Sequence, residues 1–145
     1  MTDKIKCFFV EPTGDFTKWR KINHGRARSP ILRRVDTGEL IEGYDKVPVG
    51  GMWYAPWLDE MFDHQLDHVL IVRTPGGDWM PDSEAANCTA PADKHPKQQD
   101  HHCWVIHGEA PNLTVDKKGV TCKAGAGSIG QKNWHGFLKG GYLVQ

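Results

Sequence analysis

Residues 101–138, HHCWVIHGEAPNLTVDKKGVTCKAGAGSIGQKNWHGFL, decide how the rest of the chain is read. They hold two of the four cysteines, four of the eight histidines and the clearest strand-turn-strand pattern in the sequence. Residues 102–107 (HCWVIH) predict a strand whose alternation puts Cys103, Val105 and His107 on one face and His102, Trp104 and Ile106 on the other. Residues 112–116 and 120–123 flank Lys117-Lys118-Gly119, which predicts a hairpin with Gly119 in the left-handed turn position. Residues 124–130 (AGAGSIG) read as a glycine loop, without the Lys-Ser/Thr ending of a phosphate-binding loop. Residues 134–138 and 142–144, around Lys139-Gly140-Gly141, predict a third hairpin.

Working outward, residues 4–11 (KIKCFFVE) have the apolar density of a first strand, closed by a Pro12-Thr13-Gly14-Asp15 turn. Cys7 within it reads as a buried thiol, since free cysteine behaves as a small hydrophobe. Phe16, Trp19 and Ile22 recur every three residues in the polar, basic run 13–30, which predicts either a short helix or a loop tucking its aromatics beneath itself. Residues 31–35 and 39–44 form a hairpin around Asp36-Thr37-Gly38. Residues 47–57 (VPVGGMWYAPW) line the core or present an aromatic wall, with Trp53, Tyr54 and Trp57 as candidate ligand-binding residues. Gly50-Gly51 would permit close backbone approach in either case.

Residues 56–66 (PWLDEMFDHQL) are the helix candidate, with proline near the start and apolar residues every three to four positions. On a helix His64 and His68 would share a face at metal-ligand spacing, but Gln65 stands where a zinc protease motif has its catalytic glutamate. Residues 69–73 (VLIVR) predict a strand, followed by a Pro75-Gly76-Gly77-Asp78 turn and a long polar loop over 80–100 that holds Cys88.

With 145 residues the chain is read as a single domain, 1–145. Sixteen glycines and nine prolines beside six tryptophans favour short strands and tight turns. The fold expected is mostly β: one antiparallel domain, a sandwich or open barrel, with one short helix. Eighteen basic and eighteen acidic residues cancel, which removes the net-charge argument for nucleic acid or an anionic membrane as partner. The run 18–34 carries seven basic residues and no acid, and is read as a solvated face offset by the acids at 36–67. The start MTDKIKCFFVEP lacks the apolar core of a signal peptide, and no apolar run reaches membrane-spanning length. A cytoplasm is therefore expected, with the cysteines as thiols or metal ligands, although an even count of four also permits disulfides.

Cys88, Cys103, Cys122 and His101 form a candidate structural zinc site, Cys₃His being a common donor set. Fourteen residues separate the first two cysteines and eighteen the next two, so no cysteine knuckle supports the assignment.

The text from LIVRTPGGDW through NC, HHCW, HGEAPNLTVDKKGVTC and AGAGSI to WHGFL resembles a group of small proteins of tailed bacteriophages. The resemblance covers the C-terminal half and implies a phage origin and a short accessory gene product, without an activity. The matching positions able to carry a shared site are Cys88, His101, Cys103, Cys122 and His135, and His135 joins the ligand-binding candidates. The leading expectation is a non-enzymatic accessory or binding protein, with zinc as its structural cofactor. Its partner would be a host or phage protein or a small ligand. The alternatives are a self-assembling virion component and a metal-dependent hydrolase or nuclease using His64, His68 or the group from His101 to His107.

Overall fold

The computed structural model describes residues 4–62, 64–82, 105–116, 129–131 and 133–145. The chain enters through β1 (Lys4–Lys6) and β2 (Phe8–Phe16), then β3 (Arg20–Ile22), β4 (Gly25–Ala27), β5 (Pro30–Arg34) and β6 (Leu40–Glu42). A 3-10 turn, Tyr44–Lys46, leads into β7 (Gly51–Tyr54), and a second one, Pro56–Leu58, leaves it. β8 (Leu70–Thr74) and β9 (Gly77–Trp79) form a hairpin. β10 (Val105–His107), β11 (Thr114–Asp116), β12 (Ile129–Gln131), β13 (Trp134–Lys139) and β14 (Tyr142–Val144) complete the described strands.

Two six-stranded sheets result. The first runs β1-β14-β13-β11-β10, with β12 also on β13, and is antiparallel throughout. The second runs β6-β5-β2-β7-β8-β9 and is mixed, because β7 pairs parallel to β2 at Phe8 and Phe9. The protein is therefore mostly β, as its composition implies, and among the described residues the sheets do not close into a barrel. The main core lies between the sheets: Cys7, Met52, Leu70, Val72 and Trp79 from one side meet Leu113, Val115, Ile129, Trp134, Leu138 and Leu143 from the other. Strand alternation accounts for this, since β8 buries Leu70, Val72 and Thr74 and β13 buries Trp134, Gly136 and Leu138.

The second sheet also buries its outer face. Phe8, Val10, Leu32, Ile41, Val47 and Trp53 form a separate cluster there. Arginines roof it. The Arg34 guanidinium lies 3.7 Å from the Phe8 ring centroid and pairs with Asp36 at 2.8 Å. Arg73 stacks 4.9 Å from Trp53, grips Asp78 through Nε and Nη2, and donates from Nη1 to the carbonyls of Tyr44 and Val47 at 2.6 and 2.8 Å. A planar five-donor group is suited to filling all these roles together, which an ammonium could not.

Three expectations need correction. Among the described residues of 56–66 there is no α-helix: only the 3-10 turn Pro56–Leu58 and a following turn form, and the Gln65 N–H, which a helix would send to the Met61 carbonyl, donates to Asp82 Oδ1 instead. Pro12-Thr13-Gly14-Asp15 does not end the first strand, because β2 continues to Phe16 past a bulge facing β5. Residues 13–30 are neither helix nor tucked loop. β3 and β4 extend the β2–β5 pair as an exposed two-stranded arm.

Cys7 sits where the chain passes from the first sheet to the second. Its N–H donates to the Gly141 carbonyl (2.8 Å), and that of Phe8 to Gly50 (3.1 Å). Gly50 has φ +99°, and a Cβ there would stand 2.8 Å from the Lys6 carbonyl oxygen. Gly50→Ala therefore lowers unfolding free energy by about 3 kcal/mol, measured by urea denaturation. Burial pushes the Cys7 thiol up to about 12 from an ordinary 9.0. The unfolded chain thus ionises first, so stability is fully present below pH 9 and drains away as pH rises toward 12. Unfolding curves between pH 9 and 10.5 should fall more steeply for the native chain than for Cys7→Ala; Tyr44 and Tyr54, also raised by burial, contribute equally to both.

Candidate functional site

Where β2 leaves the core beside the end of β7, its side chains meet two short turns. Tyr44 comes from the first 3-10 turn, which Arg73 anchors through its carbonyls. Tyr54 ends β7, and Trp57 comes from the second 3-10 turn, started by Pro56. Together with Phe9, Val10, Glu11 and Pro12 of β2, and with His68, they line a mostly apolar groove of about 380 Å³. The rings brace one another: Phe9 meets Tyr54 edge-on at 5.1 Å, and Tyr44 meets Trp57 at 5.7 Å and Trp53 at 5.3 Å. Trp57 is nonetheless 58% exposed, and Met61, one turn on, is exposed with it. Large apolar side chains left open beside a groove suit a surface that receives a partner.

Phe9 and Tyr54 also form the wall of a second hollow, about 500 Å³, completed by Gln65, Leu66, Asp67, Gly108, Glu109 and Ala110. This hollow is acidic. The Tyr54 hydroxyl is raised above its ordinary pKa by burial first, then by the carboxylates of Asp67 and Glu109. The wall thus has an apolar groove on one side and negative charge on the other. Gln65 fixes the rim: its Oε1 accepts the Ile106 N–H of β10 at 3.0 Å, and its own N–H donates to Asp82 at 3.1 Å.

His64 and His68 do not lie on a helix, yet their rings approach one another, 6.4 Å apart between centroids and tilted by 30°, beside the Asp59 carboxylate. His68 Nδ1–H donates to Asp59 Oδ2 at 2.6 Å, and the His68 ring stands edge-on to Tyr54 at 5.5 Å. His64 Nδ1–H donates to the Leu66 carbonyl at 2.7 Å, while its Nε2 is 3.9 Å from Asp59. The hydrogen bond from His68, followed by that from Val69 N–H, holds the Asp59 carboxyl below its usual range. The trio ties Asp59 to the start of β8. No group of three or more histidine, cysteine or acidic residues among the described residues is placed to hold a metal.

Of the residues singled out from sequence, Tyr54 and Trp57 line the groove. Trp53 does not itself line the groove: it is buried at 3% exposure in the outer cluster, beneath Tyr44. His135 is exposed on β13, its ring against Phe137, and does not line the groove. Cys88, His101, Cys103 and Cys122 lie outside the described residues. Tyr44, Phe9, Asp67 and Glu109 carried no sequence signal, since they converge from four separate segments. Among the described residues no helix is long and apolar enough to cross a membrane. No family model, curated protein or solved structure matches the chain.

Asp59→Ala removes the acceptor of the Val69 N–H. Amide exchange at Val69 should rise about tenfold, while the Ala55 amide, bonded to the Val69 carbonyl, should change less.

Proposed function

We propose that this is a non-enzymatic binding protein that docks an extended segment of a partner protein along the Tyr54 wall. The observation that carries the reading is the pairing of the two hollows. The groove of Tyr44, Tyr54, Trp57, Pro12 and Pro56 offers ring faces and little hydrogen bonding, which suits a proline or aromatic side chain on an extended backbone. Across Tyr54, Asp67 and Glu109 suit a lysine or arginine of the same segment. The partner sequence would thus place an apolar ring residue close to a basic one. Exposed aromatics at such a groove are the side chains that dominate binding energy when covered. This stays within the accessory role that the bacteriophage resemblance implies, with a host or phage protein as the partner.

A random ten-residue peptide library panned on the immobilised protein should yield segments combining proline or an aromatic with lysine or arginine. Their affinities should lie near the micromolar range usual for small contacts. Trp57→Ala should weaken the selected peptides by about tenfold or more, and Asp67→Asn with Glu109→Gln should remove the preference for the basic residue. Enrichment of no peptide, or of peptides indifferent to both variants, would sink the proposal.

A further inference from the structure

The arm formed by β3 and β4 lies away from both hollows of the Tyr54 wall, and its surface is unlike theirs. Every residue from Lys18 to Arg26 is exposed. Thr17 and Ser29 clamp its base, through Thr17 N–H to the Ser29 carbonyl and Ser29 N–H to Thr17 Oγ1, both 2.9 Å. The register pairs Arg20 with Ala27, Lys21 with Arg26 and Ile22 with Gly25. One step further the same register sets Trp19 opposite Arg28, so Trp19, Lys21, Arg26 and Arg28 share a face. On it the Arg28 guanidinium lies 4.6 Å from the Trp19 ring and 4.1 Å from Phe16, and Arg26 lies 5.2 Å from Trp19.

Trp19 and Phe16 nevertheless remain 52% and 48% exposed, so each ring keeps open area beyond its arginine. Of the other two arginines of the run, Arg33 lies opposite Glu11 in the β2–β5 register and Arg34 pairs with Asp36. Lys18, Arg20, Lys21, Arg26 and Arg28 make no ion pair among the described residues. The nearby acids sit at the root: Asp15 beside Phe16, and Glu42 and Asp45 in the hollow that Lys18, Arg20 and Lys46 also line. The outer arm is left positive, with arginines interleaved among open rings.

We propose that this arm binds single-stranded nucleic acid, with bases stacking on Trp19 and Phe16 and the guanidinium groups of Arg26 and Arg28 meeting phosphates. The charge accounts for any polyanion. The exposed rings single out one with unpaired planar bases, because base–aromatic stacking needs a free face and tolerates any sequence. The chain's zero net charge does not bear on this, since attraction at a surface follows local potential.

The test is fluorescence anisotropy of a labelled fifteen-nucleotide oligo(dT) with the full chain at low salt, against a duplex of equal length, heparin and phosphatidylserine vesicles. Saturable binding that prefers oligo(dT) to duplex is expected. Trp19→Ala should weaken it about tenfold. Arg26→Gln with Arg28→Gln should weaken it and reduce the slope of log affinity against log salt by about one unit. All these side chains are exposed, so melting temperatures should stay close to that of the parent, which separates lost binding from lost fold. Absence of saturable binding overturns the proposal. So does equal preference for heparin or duplex with no effect of Trp19→Ala, which would leave a plain cationic surface. Binding to vesicles without oligonucleotide binding would overturn it in favour of a membrane.

Discussion

The passage of the chain through Cys7 is the constraint on which the two-sheet arrangement depends. One extended segment belongs to the first sheet up to Lys6 and to the second from Phe8. Both sheets are thus covalently held over one core, and the crossing residue must be small and apolar on a backbone whose N–H still finds a partner. Cys7 meets these demands, and Gly141 and Gly50 supply the flanking carbonyls. Gly50 can do so only because it has no Cβ to strike Lys6. Two further ties hold the sheets in register away from this point. Gln131 of β12 bonds Thr74 and the Asp78 carbonyl, and Gln65 bonds Ile106. Each satisfies a polar group between sheets that apolar packing alone would leave free to slide.

The second sheet is buried on both faces, which explains why β7 reads as the continuous apolar run GMWY without alternation. Its outer cluster is too small to close by itself. Arg34 and Arg73 complete it by holding their guanidinium groups over Phe8 and Trp53, each paired with a carboxylate, Asp36 and Asp78. Arg73 also carries the turn that presents Tyr44, so the groove is an edge of this cover: Trp53 below, Tyr44 on it, and Trp57 beyond. The groove is thereby mounted on a braced support.

Much of the β architecture was legible because hairpins are local. The pairs β5–β6 and β13–β14 each turn at glycine-containing loops that the residues announce, whereas Gly77 and Asp78, read as turn, begin β9. The parallel pairing of β2 with β7 was not legible, since it joins residues more than forty apart and has no turn to mark it. The arm was misread because Phe16, Trp19 and Ile22 at spacing three imitate a helical stripe, although Phe16 belongs to β2 and Ile22 to β3. The helix over 56–66 failed for a related reason. Its periodicity is real, but the Gln65 N–H that a helix would spend on its own ladder donates to the Asp82 carboxylate, a partner from a distant segment. Of the groove, Tyr54 and Trp57 stand out in the sequence together with Trp53, whose burial beneath Tyr44 depends on a separate turn that Arg73 anchors.

Cancellation of charge over the whole chain conceals a separation. Seven basic residues with no acid occupy 18–34, and eight acids with a single lysine occupy 36–67. Opposite charges neutralise each other's field only within about a Debye length, about 8 Å at physiological ionic strength. From Phe16 to Ile22 an extended chain covers roughly 20 Å, so the far end of the arm lies beyond the reach of acids at its root. Glu42 and Asp45 quiet Lys18 and Arg20 there, but not Lys21 and Arg26 at the outer end. β2 is what makes this possible. Phe8 and Phe9 are fixed against β7, its middle lines the groove, and its last residues leave the core altogether. One strand thereby carries an apolar, acid-flanked surface at one end and a cationic, aromatic one at the other. A nearly neutral chain can thus present two chemically distinct faces without either cancelling the other.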